Sequence, residues 1–84
     1  MKSHRRRSFD VLFAGLPAHV QELARRAYQT WRDDPWHASL HFKSVGGPVW
    51  SVRVGRRYRV LGIREGDTVV WYWIGPHGTY DKKI

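Results

Sequence analysis

Apolar and polar residues alternate through the last third of the chain in three short runs. The runs are Val49–Val54, Tyr58–Ile63 and Thr68–Ile74, and their alternation predicts three strands. Gly55–Arg57 separates the first two runs, and the polar turn Arg64–Asp67 separates the last two. Connections this short join antiparallel neighbours, so the pattern predicts a meander.

The register of the first hairpin decides which residues each face of the sheet displays. A three-residue loop at Gly55–Arg57 pairs Val52 with Val60. The same register places Arg53 opposite Arg59, on the face away from the apolar residues. Like charges directly opposite one another repel. A sheet that keeps such a pair offers it to a phosphate or a carboxylate, so this face is the first functional candidate.

Two amphipathic helices are predicted before the strands. Apolar residues recur at helical spacing from Phe9 to Leu16 and again from Val20 to Trp31. Pro17 is typical of a helix start, and Asp34-Pro35 of a helix end. Because their connection is short, the two helices should form a hairpin on one face of the sheet. The central residues of the apolar stripes are expected to be buried: Phe13, Leu23 and Trp31.

The remaining segments complete the predicted architecture. Ser39–Val45 is predicted to be a strand, with Leu40 and Phe42 pointing to one side. Met1–Arg7 has no periodicity and is either a short basic edge strand or a mobile arm. The prediction is one α+β domain over residues 1–84. It has a twisted antiparallel sheet of about four strands, with an N-terminal two-helix hairpin packed on one face.

Charge is distributed unevenly along the chain. The formal net charge is +8, and no acidic residue occurs from Pro35 to Arg64. The basic residues of this acid-free stretch are Lys43, Arg53, Arg56, Arg57, Arg59 and Arg64. Such a stretch suits a phosphate backbone or an acidic partner. The alternative is a solvated face that only keeps a small protein soluble.

Composition excludes several kinds of site. The chain has no cysteine, which rules out a disulfide or a thiolate site and fits a reducing cytosol. No apolar run approaches the roughly 20 residues that span a bilayer, and no apolar region follows the basic start as in a signal peptide. His37 and His41 are four residues apart but flank the start of a strand. We therefore expect no metal and no cofactor.

Three segments together resemble the RelE/ParE superfamily of type II toxin–antitoxin toxins. They are the DPxHxSLxFK pattern of Asp34–Lys43, WSVRVGRRYRVLG at Trp50–Gly62 and WYWIGPHGTYD at Trp71–Asp81. The resemblance extends from about Phe9 to Asp81 and implies a sheet with a basic concave face. Ser51 departs from it, because many nuclease members carry Lys or Arg on this strand.

The resemblance implies three possible activities. Family members are often ribosome-dependent mRNA endonucleases (mRNA interferases), which inhibit translation. Members of the ParE branch are non-enzymatic toxins that bind and inhibit DNA gyrase. A cleavage-dead RNA-binding relative is the third possibility. We expect the endonuclease, acting in the cytoplasm on mRNA bound to the ribosome, with a cognate antitoxin that carries an acidic segment.

RNA cleavage without a metal needs cations for the charge that develops on the phosphate. Arginine suits this task, because its fork binds two phosphate oxygens and stays charged. Arg53 and Arg59 lie on one predicted face and match basic strand positions of the family. They are expected to clamp the phosphate. The alternative is that they pair with Asp81, Glu65 or an antitoxin carboxylate.

The same reaction needs a base for the 2′-hydroxyl and an acid for the 5′ leaving oxygen. His77 and Tyr80 follow the last strand and are the candidates for proton transfer. Alternatively, His77 is a turn residue and Tyr80 anchors the C-terminal segment in the core.

Further contacts to RNA are expected around this site. Lys43 is a candidate for a phosphate contact or is simply solvated, and Arg56 and Arg57 are expected to bind RNA. Trp71 and Trp73 occupy alternate positions of the last strand. One register makes them a stacking platform for bases, with Trp73 beside Arg59, whereas the other register buries them under the helices.

Overall fold

The computed structural model describes all residues from Met1 to Ile84 and contains one sheet with three helices. The strands are β1 (Lys2–Arg5), β2 (Lys43–Gly46), β3 (Val49–Val54), β4 (Tyr58–Glu65) and β5 (Thr68–Pro76). The helices are α1 (Arg7–Ala14), α2 (Ala18–Asp33) and α3 (His77–Lys83), and Ala38–Leu40 forms one 3-10 turn. No helix has the length and apolar character needed to cross a membrane.

The predicted α+β class is confirmed, with α1 and α2 packed on one face of the sheet. The strand order is β1-β5-β4-β3-β2, and the pairs β2–β3, β3–β4 and β4–β5 are antiparallel. The N-terminal segment is a fifth strand at the edge, and it runs parallel to β5 with Lys2 opposite Thr68. Of the two alternatives that the sequence left open for Met1–Arg7, the short basic edge strand is therefore the right one.

A second difference is the short helix α3, which the sequence analysis did not predict. It packs on the face of the sheet opposite α1 and α2, where Tyr80 contacts Leu61 and Trp73 in a small separate cluster. The sheet is therefore covered by two helices on one face and partly by one helix on the other.

The register of the β3–β4 hairpin is the one that the sequence predicts. Val52 pairs with Val60 and Val54 with Tyr58, around a turn in which Gly55 has a φ of 59°. Glycine adopts this left-handed conformation without steric cost. Arg53 lies directly opposite Arg59, so the two arginines share one face as expected.

A bulge between β4 and β5 separates the two tryptophans of the last strand. Leu61 pairs with Trp73, but the next residue, Gly62, pairs with Trp71, so Tyr72 is the extra residue. Trp71 consequently joins the core under α1 and α2, while Trp73 lies on the arginine face. Neither predicted register is right on its own, because each assumed that both rings share one face.

The predicted strand Ser39–Val45 is wrong in its first half. The imidazole Nδ1 of His37 accepts a hydrogen bond from the Ser39 amide at 3.2 Å, which stabilises the 3-10 turn. His41 then adopts a left-handed conformation with a φ of 47°, and β2 begins only at Lys43. Leu40 and Phe42 nevertheless both reach the core, as their alternation indicated.

The predicted burial holds for Trp31 in the last turn of α2 but not for its whole apolar stripe. Trp31 is buried and Phe13 is half-buried against the core. Leu23 is 39% exposed, so its predicted burial is wrong. It lies above the tight turn at Gly55, where a Cβ atom would be 3.3 Å from the Leu23 Cδ1 atom. The sheet ends at this turn and offers the side chain little to pack against.

Candidate functional site

The candidate site lies on the sheet face that α3 partly covers. Because residues alternate along a strand, this face receives Ser51 and Arg53 from β3, and Arg59 and Leu61 from β4. Gly75 stands opposite Arg59 on β5. A Cβ atom at Gly75 would lie 2.5 Å from the Trp73 ring. Glycine has no Cβ atom, so the ring can occupy this space.

Neither arginine of the pair is neutralised by a carboxylate. The Arg53 Nε atom donates to the Gly55 carbonyl oxygen at 3.0 Å, and the Arg59 Nη1 atom donates to the Tyr58 carbonyl oxygen at 2.8 Å. All ion pairs of the protein involve Asp10, Glu22 or Asp81, and no arginine of β3 or β4 takes part in them. The alternative that Asp81 or Glu65 pairs with these arginines is therefore wrong, and both guanidinium groups keep free N–H donors.

Tyr80 lies at the centre of the site and is almost fully buried. Its hydroxyl donates to the Ser51 Oγ atom at 3.3 Å, and its exposed fraction is 5%. The Arg59 guanidinium carbon is 5.9 Å from the centroid of the Tyr80 ring, within cation–π range. Tyr80 thus anchors α3 on the sheet, which is one of the two roles that the sequence left open.

His77 begins α3 and lies beside Tyr80. Its backbone amide donates to the Arg57 carbonyl oxygen at 2.7 Å, so the helix start is attached to the β3–β4 turn. The His77 and Tyr80 rings stack with centroids 5.7 Å apart, and His77 Nε2 is 3.3 Å from the Asp81 carboxylate. The structure therefore brings Arg59, Tyr80 and His77 together, and about half of the His77 side chain is open to solvent.

The other predicted basic residues surround this group without contacting Tyr80. Lys43 pairs with Ser51 across β2 and β3, is exposed, and lies at the edge of the same face. Arg56 and Arg57 occupy the tip of the β3–β4 turn and are also exposed. The three cations extend the positive surface around the Arg53 and Arg59 pair.

Trp73 does not offer an open stacking platform. Its exposed fraction is only 7%, and its ring packs with Leu61 and Tyr80 beneath α3. The Lys83 ammonium lies 5.6 Å from the ring centroid. A base could reach this ring only if α3 moved, so the predicted RNA contact of Trp73 does not follow from this structure.

Two residues that sequence reasoning missed take part in the site. Ser51 is 2% exposed and binds the Tyr80 hydroxyl, although its position was noted only as a departure from the family. Asp81 was considered only as an arginine partner, but it contacts His77 four residues before it. This i to i+4 spacing would have indicated the pair, had a helix been predicted there.

Tyr72, which packs against the cluster of Leu61, Trp73 and Tyr80, has a raised pKa. Burial raises the pKa of the Tyr72 phenol, and the positive charge of Arg6 partly opposes this effect. Tyr72 is the bulge residue, and its carbonyl oxygen accepts a hydrogen bond from the Ser8 hydroxyl at 2.9 Å. It stays protonated at neutral pH and so is no proton acceptor. No three His, Asp or Glu side chains lie together in a group that could hold a metal ion.

The fold is that of toxins of the RelE/ParE type. The family model of the ParE-like toxin domain matches residues 18–82, which is most of the chain. The chain belongs to the ParE-like toxin domain family, and it is a toxin of a toxin–antitoxin system. No curated protein matches the sequence significantly.

Three solved structures have the same fold. The RelB–RelE antitoxin–toxin complex of Methanococcus jannaschii aligns with a TM-score of 0.74 at 15% identity, covering 96% of this chain and 98% of that chain. A copper-bound mutant toxin from Helicobacter pylori gives 0.67 at 14% identity, covering 94% and 97%. The conserved hypothetical protein HP0894 from Helicobacter pylori gives 0.58 at 16% identity, covering 93% and 96%. At these identities the likeness concerns the fold.

Proposed function

We propose that the toxin is an endonuclease that cleaves mRNA on the ribosome, without a metal, and thereby inhibits translation in the cytoplasm. The observation that carries this proposal is the group formed by Arg59, Tyr80 and His77, beside a second arginine that no carboxylate neutralises. An anion-binding pair and a half-exposed histidine on one face are the parts that phosphate chemistry needs.

Each residue has a definite role in this reaction. The 2′-hydroxyl oxygen attacks the adjacent phosphorus, and the bond from phosphorus to the 5′ oxygen breaks. Arg53 and Arg59 bind the phosphate oxygens on which negative charge increases. His77 transfers a proton, and the Tyr80 ring contacts both His77 and Arg59. Because the Tyr80 hydroxyl is occupied by Ser51, we assign this residue to positioning rather than to proton transfer.

The same basic surface is proposed to bind the antitoxin. A solved neighbour of similar fold is a RelB–RelE complex, and the acid-free stretch of this chain suits an acidic segment that folds on binding. The affinity should fall as salt screens the exposed charges. Calorimetry at increasing ionic strength measures this dependence, and an affinity that does not change with salt would contradict the proposal.

Inhibition of DNA gyrase is the second candidate function. It is favoured by one observation, the burial of the aromatic side chains on the arginine face. Trp73 lies beneath α3 and the Tyr80 side chain lies between α3 and the sheet, so neither ring is available for stacking on a base. A gyrase-binding surface needs no group of residues that converges on a phosphate.

Substitutions at Arg59 and His77 test the endonuclease. Arg59→Ala should abolish growth arrest and cleavage of a reporter mRNA on ribosomes, while circular dichroism shows an unchanged fold. Arg59→Lys should rescue poorly, because lysine lacks the bidentate fork. His77→Ala should slow cleavage by roughly 10²–10⁴-fold. Arg32→Ala is the matched control, because it removes one positive charge from an exposed position of α2.

Inhibition of DNA gyrase is tested with the wild-type toxin and the same variants. A supercoiling assay with purified gyrase should show no inhibition by the wild-type toxin. If a folded Arg59→Ala, His77→Ala double variant stays fully toxic, the endonuclease site is wrong. Inhibition of supercoiling by both proteins would then establish the alternative.

A further inference from the structure

Trp36 is the only one of the five tryptophans whose side chain is mostly exposed. Its exposed fraction is 57%, whereas Trp31, Trp71 and Trp73 are buried and Trp50 is half-buried. It lies in the segment that follows α2, before the 3-10 turn. Single apolar residues are common on protein surfaces, so the neighbours of Trp36 decide what its ring can do.

Three contacts hold the Trp36 ring in a defined position. Its centroid is 5.2 Å from that of the Phe42 ring and 6.0 Å from that of the Trp50 ring, and the latter two centroids are 4.7 Å apart. The Trp36 amide donates to the Asp34 carboxylate at 3.0 Å, which fixes the turn that carries the ring. The exposed ring is therefore ordered before any partner binds.

Arg64 adds a cation to this aromatic cluster. Its guanidinium carbon is 4.5 Å from the Trp50 centroid and 5.4 Å from the Trp36 centroid, within cation–π range. Its Nε atom donates to the Gly66 carbonyl oxygen at 3.0 Å, and no carboxylate forms an ion pair with it. Glu65 follows on the same strand and so points to the other face. Arg64 thus keeps free N–H donors beside the exposed ring.

The cluster of Trp36, Phe42, Trp50 and Arg64 is called the Trp36 platform below. All four residues belong to the acid-free stretch Pro35–Arg64. Trp50 and Phe42 connect the platform to the core under α1 and α2, on the sheet face opposite the arginine pair. Lys43 follows Phe42 on the edge strand β2 and is exposed. The platform is therefore a separate surface, with a cation on the edge strand beside it.

We propose that the Trp36 platform stacks a nucleobase of single-stranded RNA outside the cleavage site, an assignment that rests on the RNA substrate proposed above. The exposed indole supplies a flat aromatic face for the base, and Arg64 supplies donors for an adjacent phosphate. Unpaired bases are commonly bound in this way, because every base has an aromatic face. Trp73 was expected to stack on a base but is buried, and Trp36 takes this role at another place.

Two substitutions at Trp36 distinguish stacking from a merely apolar contact. Trp36→Phe keeps an aromatic face, whereas Trp36→Leu keeps an apolar side chain without one. Fluorescence anisotropy measures binding of a short, labelled, single-stranded oligoribonucleotide. Trp36→Leu should weaken binding by between roughly 5- and 150-fold, the range for one stacked base, and Trp36→Phe should bind more tightly than Trp36→Leu. Wild-type affinity in Trp36→Leu would overturn the proposal, and equal losses in both variants would overturn it too.

Salt dependence separates the role of the ring from that of the cation. Arg64→Ala should lower the slope of log affinity against log salt concentration by about 0.7, because one phosphate contact is lost. Trp36→Leu should leave this slope unchanged. Arg25→Ala is the matched control, because Arg25 also lies over an aromatic ring, 5.4 Å from the Phe13 centroid, but on α2. It should bind as the wild type does. An equal change of slope in Arg25→Ala and Arg64→Ala would remove Arg64 from the platform.

Cleavage of ribosome-bound mRNA distinguishes a failed platform from a failed function. Trp36→Leu, folded by circular dichroism, should need more toxin for half-maximal single-turnover cleavage but should reach the wild-type maximal rate. If the wild type cleaves mRNA and Trp36→Leu shows the same concentration dependence, the platform is wrong and the endonuclease stands. If the wild type binds the oligoribonucleotide through Trp36 but does not cleave mRNA, the endonuclease is wrong and the platform stands. Absence of both binding and cleavage would refute both.

Discussion

The sheet face beneath α1 and α2 and the face beneath α3 are built from alternate residues of the same strands. The first carries a cluster of ten buried apolar residues, in which Trp31 meets Trp71 and Phe42 edge to face at 5.2 and 5.9 Å. The second has only Leu61, Trp73 and Tyr80 in its cluster, beside two arginines that face each other. One face supplies the stability that allows the other to keep uncompensated charge.

The two faces also treat polar groups differently. On the face with the larger cluster, the indole Nε1 atoms of Trp31 and Trp71 are buried without a hydrogen-bond partner, so apolar packing alone holds them. On the arginine face the one buried side-chain pair, Tyr80 and Ser51, is hydrogen-bonded. Helix α3 is thus attached by a buried hydrogen bond, whereas the hydrogen bonds from Ser8 of α1 to Tyr72 and between Tyr28 of α2 and Ser3 are exposed.

The largest effect is expected from a substitution in the core under α1 and α2. Trp31→Ala should destabilise the protein by about 3–5 kcal/mol, which is enough to unfold so small a domain. Trp36 is the matched control, because it is 57% exposed, and Trp36→Ala should cost about 1 kcal/mol or less. Urea denaturation followed by circular dichroism measures both. If both variants lost the same stability, burial would not explain the contribution of either tryptophan to folding.

Two glycines test the two faces with the same chemical change. A Cβ atom at Gly62 would lie 2.6 Å from the Trp71 ring, and one at Gly75 would lie 2.5 Å from the Trp73 ring. Overpacking of this kind costs about 1–3 kcal/mol. Gly62→Ala should be the more destabilising, because Trp71 is confined within the larger cluster. Gly75→Ala should mainly loosen α3.

Urea denaturation and limited trypsin digestion together measure this contrast. Cleavage after Lys82 and Lys83 should accelerate in Gly75→Ala at conditions where the rest of the chain stays resistant. A greater loss of global stability in Gly75→Ala than in Gly62→Ala would reverse the comparison between the faces.

The smallest effect concerns a single hydroxyl group. Tyr80→Phe should cost about 1 kcal/mol, because it removes the hydrogen bond to Ser51 but keeps the ring. Cleavage should fall only in part, whereas Tyr80→Ala should lose more, since Arg59 and His77 then both lose their contact with the ring. The Tyr80→Phe, Ser51→Ala double-mutant cycle isolates the contact. If both single variants and the double variant have equal activity, the hydroxyl acts through Ser51. A complete loss of cleavage in Tyr80→Phe alone would make the hydroxyl itself catalytic.

Much of the arginine face could be predicted from the sequence by itself. The register of β3 and β4 follows from a three-residue turn and from strict alternation, because both are local. The pair of Arg53 and Arg59 follows directly from that register. The helical hairpin follows from the 3.6-residue spacing of apolar residues in α1 and α2. These features depend only on residues near one another in the chain.

Only the tertiary structure decided how the remaining residues are used. The bulge at Tyr72 forms because Trp71 packs over Gly62 beneath the helices, and this contact sends Trp73 to the other face. The parallel pairing of β1 joins Lys2 to Thr68, which are distant in the chain. The same holds for the bond between Tyr80 and Ser51 and for the contact between His41 and Arg53. Such contacts leave no periodic signal in the sequence, because their partners come from segments that meet only when the sheet closes.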